Sequence, residues 1–274
     1  MIYYKTQAEV ELIRESCILV CKTLAHVGSL LKPGAKGIDI DREAEKFIRD
    51  HHAVPAFKGY GRDGKDVFPF TLCWSINEAV VHGFPSEREL QDGDIVSVDC
   101  GVALNGYFGD AAYTFAVGEV PKDVMQLLVA TKKSLNQAVE VAIVGKRIGD
   151  IGFAVQDYTE RKHNYSVVRD LVGHGIGKDL HEDPQVANHG KRGNGVVLRD
   201  GLVIAIEPMI NMGKKEVVTL SDRWTIIAKD KKPSAHYEHT VVVRKDKADV
   251  LSDHSFIEKA IKNNPEIKEI SINN

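Results

Sequence analysis

The chain has 274 residues, of which 43% are hydrophobic and 27% are charged, a mixture typical of a globular protein. Its formal net charge of −3 argues against a nucleic acid or an anionic membrane as the main partner. The start, MIYYKTQAEVELIRES, lacks a basic segment followed by an apolar run, and no apolar stretch is long enough to span a bilayer. We therefore expect a soluble protein of the cytoplasm.

Helix signals open the chain. Thr6 and Glu9 form a capping-box pattern, and apolar residues then recur at helical spacing until Pro33 ends the run. The elements expected next are a helix over 41–51, a β-rich region over 71–117, a helix over 121–143 and a short helix over 151–162.

The order of elements in the second half repeats that of the first. Aligning Asp39 with Asp150 also aligns Ile40 with Ile151, which suggests a duplicated unit. Because no proline-rich or serine-rich linker separates the halves, we expect one catalytic domain over 1–250, with halves of about 1–117 and 118–245. Residues 251–274 are expected to form a C-terminal appendage that contains a helix near 255–262.

A predicted hairpin carries an aspartate on each arm. Asn105 and Gly106 are the preferred pair for a two-residue type I′ turn. This turn sets Asp110 opposite Gly101 and sets Asp99 opposite Ala112, so both carboxylates share one face. Their Cα atoms would be diagonal neighbours roughly 7–8 Å apart.

Two further predicted strands, 202–207 and 235–243, also carry a carboxylate among their apolar residues. Glu207 ends the first, and Glu238 lies in the second on the same side as His236. A single such group is most simply paired with a nearby Arg or Lys, but these strands contain almost no basic residues. Clustered carboxylates without a counter-charge repel one another, and a divalent cation removes that difficulty.

Histidines add possible nitrogen ligands. His174 lies among glycines that allow close backbone approach to a ligand, His181 follows in KDLHEDP, and His82 lies in VVHGFP. A lone histidine is more often a hydrogen-bonded structural residue than a ligand. Four others are expected at the surface: His51, His52, His163 and His254.

Five segments together resemble the type I methionine aminopeptidases: SINEAVVHGFP, DGDIVSVDCG, GHGIGKDLHEDP, IEPM and YEHT. The resemblance covers almost all of residues 1–250. It implies an α+β pita-bread fold, in which two α-β halves related by a pseudo-twofold axis form a central curved antiparallel sheet covered by helices. It also implies removal of the N-terminal methionine from newly made polypeptides, with a preference for a small second residue.

The resemblance implies a site with two divalent metal ions and a water between them. The implied ligands are Asp99, Asp110, His174, Glu207 and Glu238, with Asp110 and Glu238 bridging. Oxygen ligands with one imidazole suit manganese, iron or cobalt, and zinc can also occupy such a site. Glu207 is implied as the proton shuttle, His181 as the group that stabilises the oxyanion, and His82 as a contact to the scissile nitrogen. A monovalent cation near Asn77 and Ser234 is left open.

The methionine pocket matches less closely. Tyr60, Cys73 and Trp224 fall on pocket positions of the family, and Phe68 is aligned with a pocket aromatic across the 61–67 loop. Leu180 stands where a phenylalanine is usual, and Phe57 stands where a smaller residue is common, with plain core packing as its alternative. A pocket of thioether size and altered shape is expected.

Three other interpretations compete with this one. A pita-bread peptidase that cleaves before proline generally carries a large preceding domain, whereas the catalytic region here starts near residue 5. A type II enzyme has a helical insertion between its glutamates, and Glu207 and Glu238 are too close in sequence for that. A metal-free binding protein, docking to a partner such as the ribosome, usually loses ligands. We expect a monomer that acts on polypeptide N-termini, with transient ribosome contact left open.

Overall fold

The computed structural model describes residues 1–61 and 66–272. Within this part of the chain the helices are α1 (Gln7–Leu30), α2 (Gly37–Asp50), α3 (Lys122–Glu140), α4 (Ile148–Gln156) and α5 (Ser255–Lys262). A π-helical segment, Asp157–Lys162, continues α4. No helix of the described residues is both long and apolar enough to cross a membrane.

The strands form several antiparallel sheets. In chain order they are β1 (Val54–Pro55), β2 (Leu72–Ile76), β3 (Ala79–Val81), β4 (Ile95–Leu104), β5 (Tyr107–Val117), β6 (Ser166–Val167), β7 (Gly173–Gly175), β8 (Glu182–Val186), β9 (Val203–Ile206), β10 (Met209–Asn211), β11 (Val217–Thr219), β12 (Ile226–Ala228), β13 (Ser234–His236), β14 (His239–Val242), β15 (Asp249–Val250) and β16 (Ile267–Lys268). One sheet has the order β1-β4-β5-β16 with β2 also on β4, and another has the order β15-β14-β9-β7-β8. Two smaller sheets have the orders β13-β10-β6 and β11-β12-β3.

The first helix covers the long hairpin of β4 and β5. The Thr6 hydroxyl accepts from the Glu9 amide and the Glu9 carboxylate accepts from the Thr6 amide, so the predicted capping box is confirmed. The helix lies very close to β5, because a Cβ atom on Gly109 would be 2.4 Å from the Cys17 nitrogen. This close approach buries the apolar face of α1 against the sheet.

The second helix begins one turn earlier than the sequence predicts. It starts at Gly37, and the expected first residue, Asp41, lies inside it and is buried. The Asp41 carboxylate accepts hydrogen bonds from the Thr71 and Leu72 amides instead of capping its own helix. The sequence favours Asp41 as the first residue of a helix, but its side chain instead links α2 to the beginning of β2.

The two halves repeat one plan. Each has a long helix, a short helix and then strands that carry acidic residues, as α1 and α2 precede β4–β5 and as α3 and α4 precede the strands after residue 166. The residues before the short helices, Lys36 and Arg147, each make one isolated antiparallel bridge. This correspondence supports the duplication suggested by the sequence.

The segment after residue 250 is tightly packed against the first half. Helix α5 lies on α1, and β16 extends the first sheet with Ile267 opposite Val117. The Asn264 side-chain amide donates to the Gly28 and Leu31 carbonyls at 2.9 and 2.8 Å. These carbonyls lie at the C-terminal end of α1, where helical carbonyls lack partners within the helix.

Candidate metal centre

The first pair of acids lies on the β4–β5 hairpin as predicted. Asn105 and Gly106 adopt φ values of 53° and 79°, and Gly101 faces Asp110 while Asp99 faces Ala112. The period of two places both carboxylates on one face of the sheet. Asp110 is buried, with 3% of its surface exposed.

The second pair lies in two facing strand interruptions. Ile206 pairs with His239 and Met209 pairs with His236 in one continuous register, which sets Glu207 opposite Glu238 between these pairs. The prediction of an unbroken strand over 235–243 is therefore wrong. Pro208 cannot donate to the ladder, and the Glu238 amide donates instead to the Ala112 carbonyl of β5 at 3.0 Å. This bond joins the two pairs of acids across the seam between the sheets.

His174 completes the cluster from β7. Its neighbours must be glycine, because a Cβ atom on Gly173 or Gly175 would come within 2.3 or 2.2 Å of a backbone oxygen. Its Nδ1 lies 2.9 Å from the Gly175 carbonyl, which directs Nε2 toward the acids. Nε2 is 3.8 Å from Asp110 Oδ2 and 3.7 Å from Glu207 Oε1. Ligand atoms of Asp110, His174 and Glu238 all lie within 4.8 Å of one another.

The acids lack counter-charges. One oxygen each of Asp99, Asp110 and Glu238 is buried without a hydrogen-bond partner, and none of the four acids pairs with Lys or Arg among the described residues. Burial raises the pKa of Asp99 to about 7, with added repulsion from Glu207. Burial likewise raises the pKa of Glu207 to about 8. The pKa values of Asp110 and Glu238 are raised well above normal by burial and by the neighbouring acids.

This donor set fits divalent metal ions. Buried, unpartnered carboxylate oxygens are costly, and bound cations remove both the missing contacts and the repulsion. Burial lowers the pKa of His174 to about 3, which keeps its imidazole in the neutral form that binds metals. Oxygen atoms with one imidazole nitrogen exclude a thiolate-type structural zinc site.

His181 and His82 line the same cavity as the four acids. The His181 ring centroid is 4.3 Å from that of His174, and its Nδ1 lies 2.5 Å from the Tyr60 hydroxyl. This contact orients the ring. His82 has a left-handed backbone with φ 56°, and burial lowers its pKa to about 4. Both imidazoles are therefore neutral donors or acceptors beside the acids near pH 7.

A cavity of about 170 Å³ is lined by the four acids on one part of its wall and by mostly apolar side chains on the rest. Every residue expected in the methionine pocket lines it, namely Tyr60, Phe68, Cys73, Leu180 and Trp224, and Phe57 lines it too. The Phe68 ring lies 5.3 Å from Trp224 and 6.5 Å from Phe57 between ring centroids. A cavity near this size is enough for a small apolar group. Most of the 61–67 loop, residues 62–65, lies outside the described residues.

Several residues around the site carry little or no signal of function in the sequence. Val81, Leu171, Val172 and Met209 also line the cavity, but isolated apolar residues carry no signal of function. His236 lies against Glu207, with Nε2 3.6 Å from Oε2. Its place beside Glu238 on the alternating strand was the available signal.

The histidines expected at the surface divide into two groups. His51, His52 and His163 are exposed, as predicted. The prediction for His254 is wrong, because its side chain is buried and stacks on His239 with ring centroids 3.9 Å apart. It immediately precedes α5, and the packing of that helix on α1 carries it into the interior.

The cluster of buried acids and the two-half fold define the class of protein. Residues 11–245 match the model of metallopeptidase family M24. The chain therefore belongs to this family.

Similar proteins refine this assignment. The chain is 47% identical to a methionine aminopeptidase of Clostridium acetobutylicum, over 92% of this chain and 99% of that protein. It is 43% identical to methionine aminopeptidase 1 of Bacillus subtilis, with the same coverage of each chain. These matches confirm the resemblance to methionine aminopeptidases.

Solved structures agree on the fold. A crystal structure of methionine aminopeptidase from Rickettsia prowazekii superposes with a TM-score of 0.89 at 37% identity, over 92% of this chain and all of that one. Prolidase from Pyrococcus furiosus superposes with a TM-score of 0.71 at 22% identity, over 91% of this chain and 65% of that one, a likeness of fold alone. The expected α+β pita-bread fold is confirmed.

Proposed function

We propose that this metallopeptidase removes the N-terminal methionine from newly made polypeptides, with two divalent ions held by Asp99, Asp110, His174, Glu207 and Glu238. The observation that carries the proposal is the cluster of buried acids without counter-charges in a cavity whose remaining wall is mostly apolar. The names of the relatives at 43% and 47% identity support the choice of methionine as the residue removed.

Each ligand has a proposed place in the metal pair. Asp110 of β5 and Glu238, from the break between β13 and β14, have ligand atoms within 4.8 Å of each other and would be shared by the two ions. Asp99 would bind one ion, and His174 with Glu207 would bind the other, in keeping with the 3.7 Å between His174 Nε2 and Glu207 Oε1. Manganese, iron, cobalt and zinc all fit this donor set.

The residues around the metals would carry out hydrolysis together. When bound, two such ions lower the pKa of the attacking water and polarise the carbonyl group. Glu207 would take a proton from the water and pass it to the leaving nitrogen. The Tyr60 hydroxyl at Nδ1 of His181 leaves Nε2 free to donate to the developing oxyanion. His82, which also lines the cavity, would contact the scissile nitrogen.

Specificity would come from the cavity. Phe57, Phe68, Cys73, Leu180 and Trp224 would enclose the methionine side chain in apolar contacts. A small second residue would be preferred because the peptide must leave the cavity past the His181 and His82 side chains.

A further ion and several partners are also proposed for this protein. A monovalent cation would lie near Asn77 and Ser234, which are in contact because the Ser234 amide donates to the Asn77 carbonyl at 2.9 Å. The substrates would be the N-termini of nascent polypeptides in the cytoplasm. The enzyme would act as a monomer, with transient ribosome contact through its folded surface.

Metal analysis with a peptide assay tests the proposal. Purified protein should contain a transition metal, and it should release methionine from Met-Ala-Ser. Chelation should stop the reaction, and re-addition of single ions should show which one restores it. A metal-free, inert protein would favour a binding role. Cleavage of only those peptides with proline in second position would favour the activity named in the prolidase structures.

A further inference from the structure

His236 lies next to the proposed metals, and its buried imidazole has no role in the reaction proposed above. Only 1% of its surface is exposed, and its Nε2 has no hydrogen-bond partner among the described residues. An unpaired buried polar atom is costly, and such an atom in a native site calls for an explanation. Here the unpaired nitrogen lies 3.6 Å from Oε2 of Glu207.

The backbone of His236 is held firmly. The Thr114 hydroxyl accepts from the His236 amide at 3.0 Å and donates to its carbonyl at 2.7 Å. Ser97, on the other arm of the first hairpin, is 2.8 Å from the same hydroxyl. His236 also pairs with Met209 across β13 and β10. The imidazole therefore projects from a fixed position at the seam between the sheets.

Glu207 lies between two imidazoles. Its Oε1 faces His174 at 3.7 Å, and its Oε2 faces His236 at 3.6 Å. The second separation exceeds a hydrogen bond by only a few tenths of an ångström. The Asp99 carboxylate opposes the effect of burial on the pKa of His236, and the His236 imidazole in turn helps to lower the pKa of His82. Burial lowers the pKa of His236, so its imidazole is neutral near pH 7.

We propose that His236 is a positioning residue for Glu207, whose Oε2 accepts a hydrogen bond from Nε2–H of His236 so that Oε1 is directed toward the ion beside His174. The inference rests on the proposed function and deepens it. It places Oε1 of Glu207 on the ligand side and gives Oε2 a donor from the protein, which would hold the carboxylate in place while it takes up and passes on the proton. Donors that orient a metal-binding carboxylate typically change metal affinity about 10- to 100-fold.

Two substitutions separate positioning from packing. His236→Leu removes the donor and fills similar space, whereas His236→Gln keeps an N–H donor near the position of Nε2. His51→Gln is a control for the loss of an imidazole, because His51 is exposed at the end of α2. The measurement is calorimetric titration of the metal-free proteins with Mn²⁺, followed by the absorption spectrum of each protein loaded with Co²⁺.

The leucine variant should bind the weaker Mn²⁺ equivalent about 10- to 100-fold less tightly. The glutamine variant should stay near wild type in affinity and spectrum. In the metal-free state the leucine variant should be at least as stable as wild type, because it removes an unpaired polar atom.

Two outcomes would overturn the inference alone. Unchanged Mn²⁺ affinity in His236→Leu would remove the positioning role, and equal losses in the leucine and glutamine variants would make the imidazole itself a ligand. Wild-type protein that binds no divalent ion would overturn the proposed function as well, so the two failures are distinguishable.

Discussion

The two pairs of acids reach the same centre by different backbone devices. Asp99 and Asp110 lie on continuous strands whose alternation points both at one face. Glu207 and Glu238 lie in facing interruptions, where Pro208 breaks the ladder and Glu238 bonds to the first hairpin instead. The comparison shows that a regular hairpin presents short acids at fixed positions, whereas an interrupted one lets longer acids turn into the seam.

The largest effect is expected from the second pair. Glu207→Gln keeps the shape of the side chain but cannot take up the proton of the attacking water, so turnover should fall at least about 100-fold. The measurement is methionine release from Met-Ala-Ser by metal-loaded protein. Glu216→Gln, on an exposed loop, is the control. Near-normal turnover by the Glu207 variant with full metal content would remove its role.

Metal removal should expose the repulsion within the cluster as a pH dependence of stability. The pKa of Asp99 rises from about 3.9 in the unfolded chain to about 7, and that of Glu207 rises from about 4.3 to about 8. The folded protein thus binds more protons than the unfolded chain. The stabilising contribution of these two acids to the free energy of unfolding is therefore full below pH 4 and is lost as the pH rises toward 8.

Urea unfolding of metal-free protein at pH 5.5 and pH 8 measures this effect. The free energy of unfolding should be lower at pH 8, by an amount on the order of a few kcal/mol. Asp99→Asn should reduce the difference, since the amide does not titrate. An equal difference in wild type and variant would show that Asp99 is not a source of it.

A smaller effect is expected where the C-terminal segment binds the end of α1 in the first half. Asn264→Ala removes two hydrogen bonds to the end of α1 and one from the Glu266 amide, and the free energy of unfolding should fall by about 1–2 kcal/mol. Chemical denaturation measures it, with the exposed neighbour changed in Asn263→Ala as the control. No difference between the two variants would mean that water replaces the Asn264 amide at no cost.

The smallest effect concerns the turn of the first hairpin. Gly106→Ala puts a side chain at φ 79°, and no atom lies within 4 Å of the new Cβ. The loss of about 1 kcal/mol should therefore come from the backbone alone, with metal affinity unchanged. Thermal unfolding and Mn²⁺ titration measure the two quantities. Loss of metal binding would show that the register of the acids depends on this turn.

The sequence predicted best what depends on local chemistry. The Thr6 capping box, the Asn105-Gly106 turn and the resulting positions of Asp99 and Asp110 all follow from neighbours in the chain. The strand break at Glu238 could not be predicted in this way, because the Glu238 amide binds the Ala112 carbonyl of another sheet. His254 was misplaced for a similar reason, since only the packing of α5 buries it.

The site itself divides in the same way. Acidic residues without basic neighbours gave a signal at each of the four positions. The signal at His236 was only its place on the same side of the predicted strand as Glu238, because a lone histidine is commonly structural and its contact with Glu207 joins residues distant in sequence. Pocket residues such as Val81 and Met209 could not be predicted, because apolar side chains are equally common in the core.

Anomalous diffraction from crystals of the protein grown with Mn²⁺ tests the central claim most directly. Two peaks should lie among the carboxylates, both of them in contact with Asp110 and Glu238, with Asp99 on one and with His174 and Glu207 on the other. Crystals without a peak at the seam, with these acids protonated or bonded to one another instead, would contradict the account.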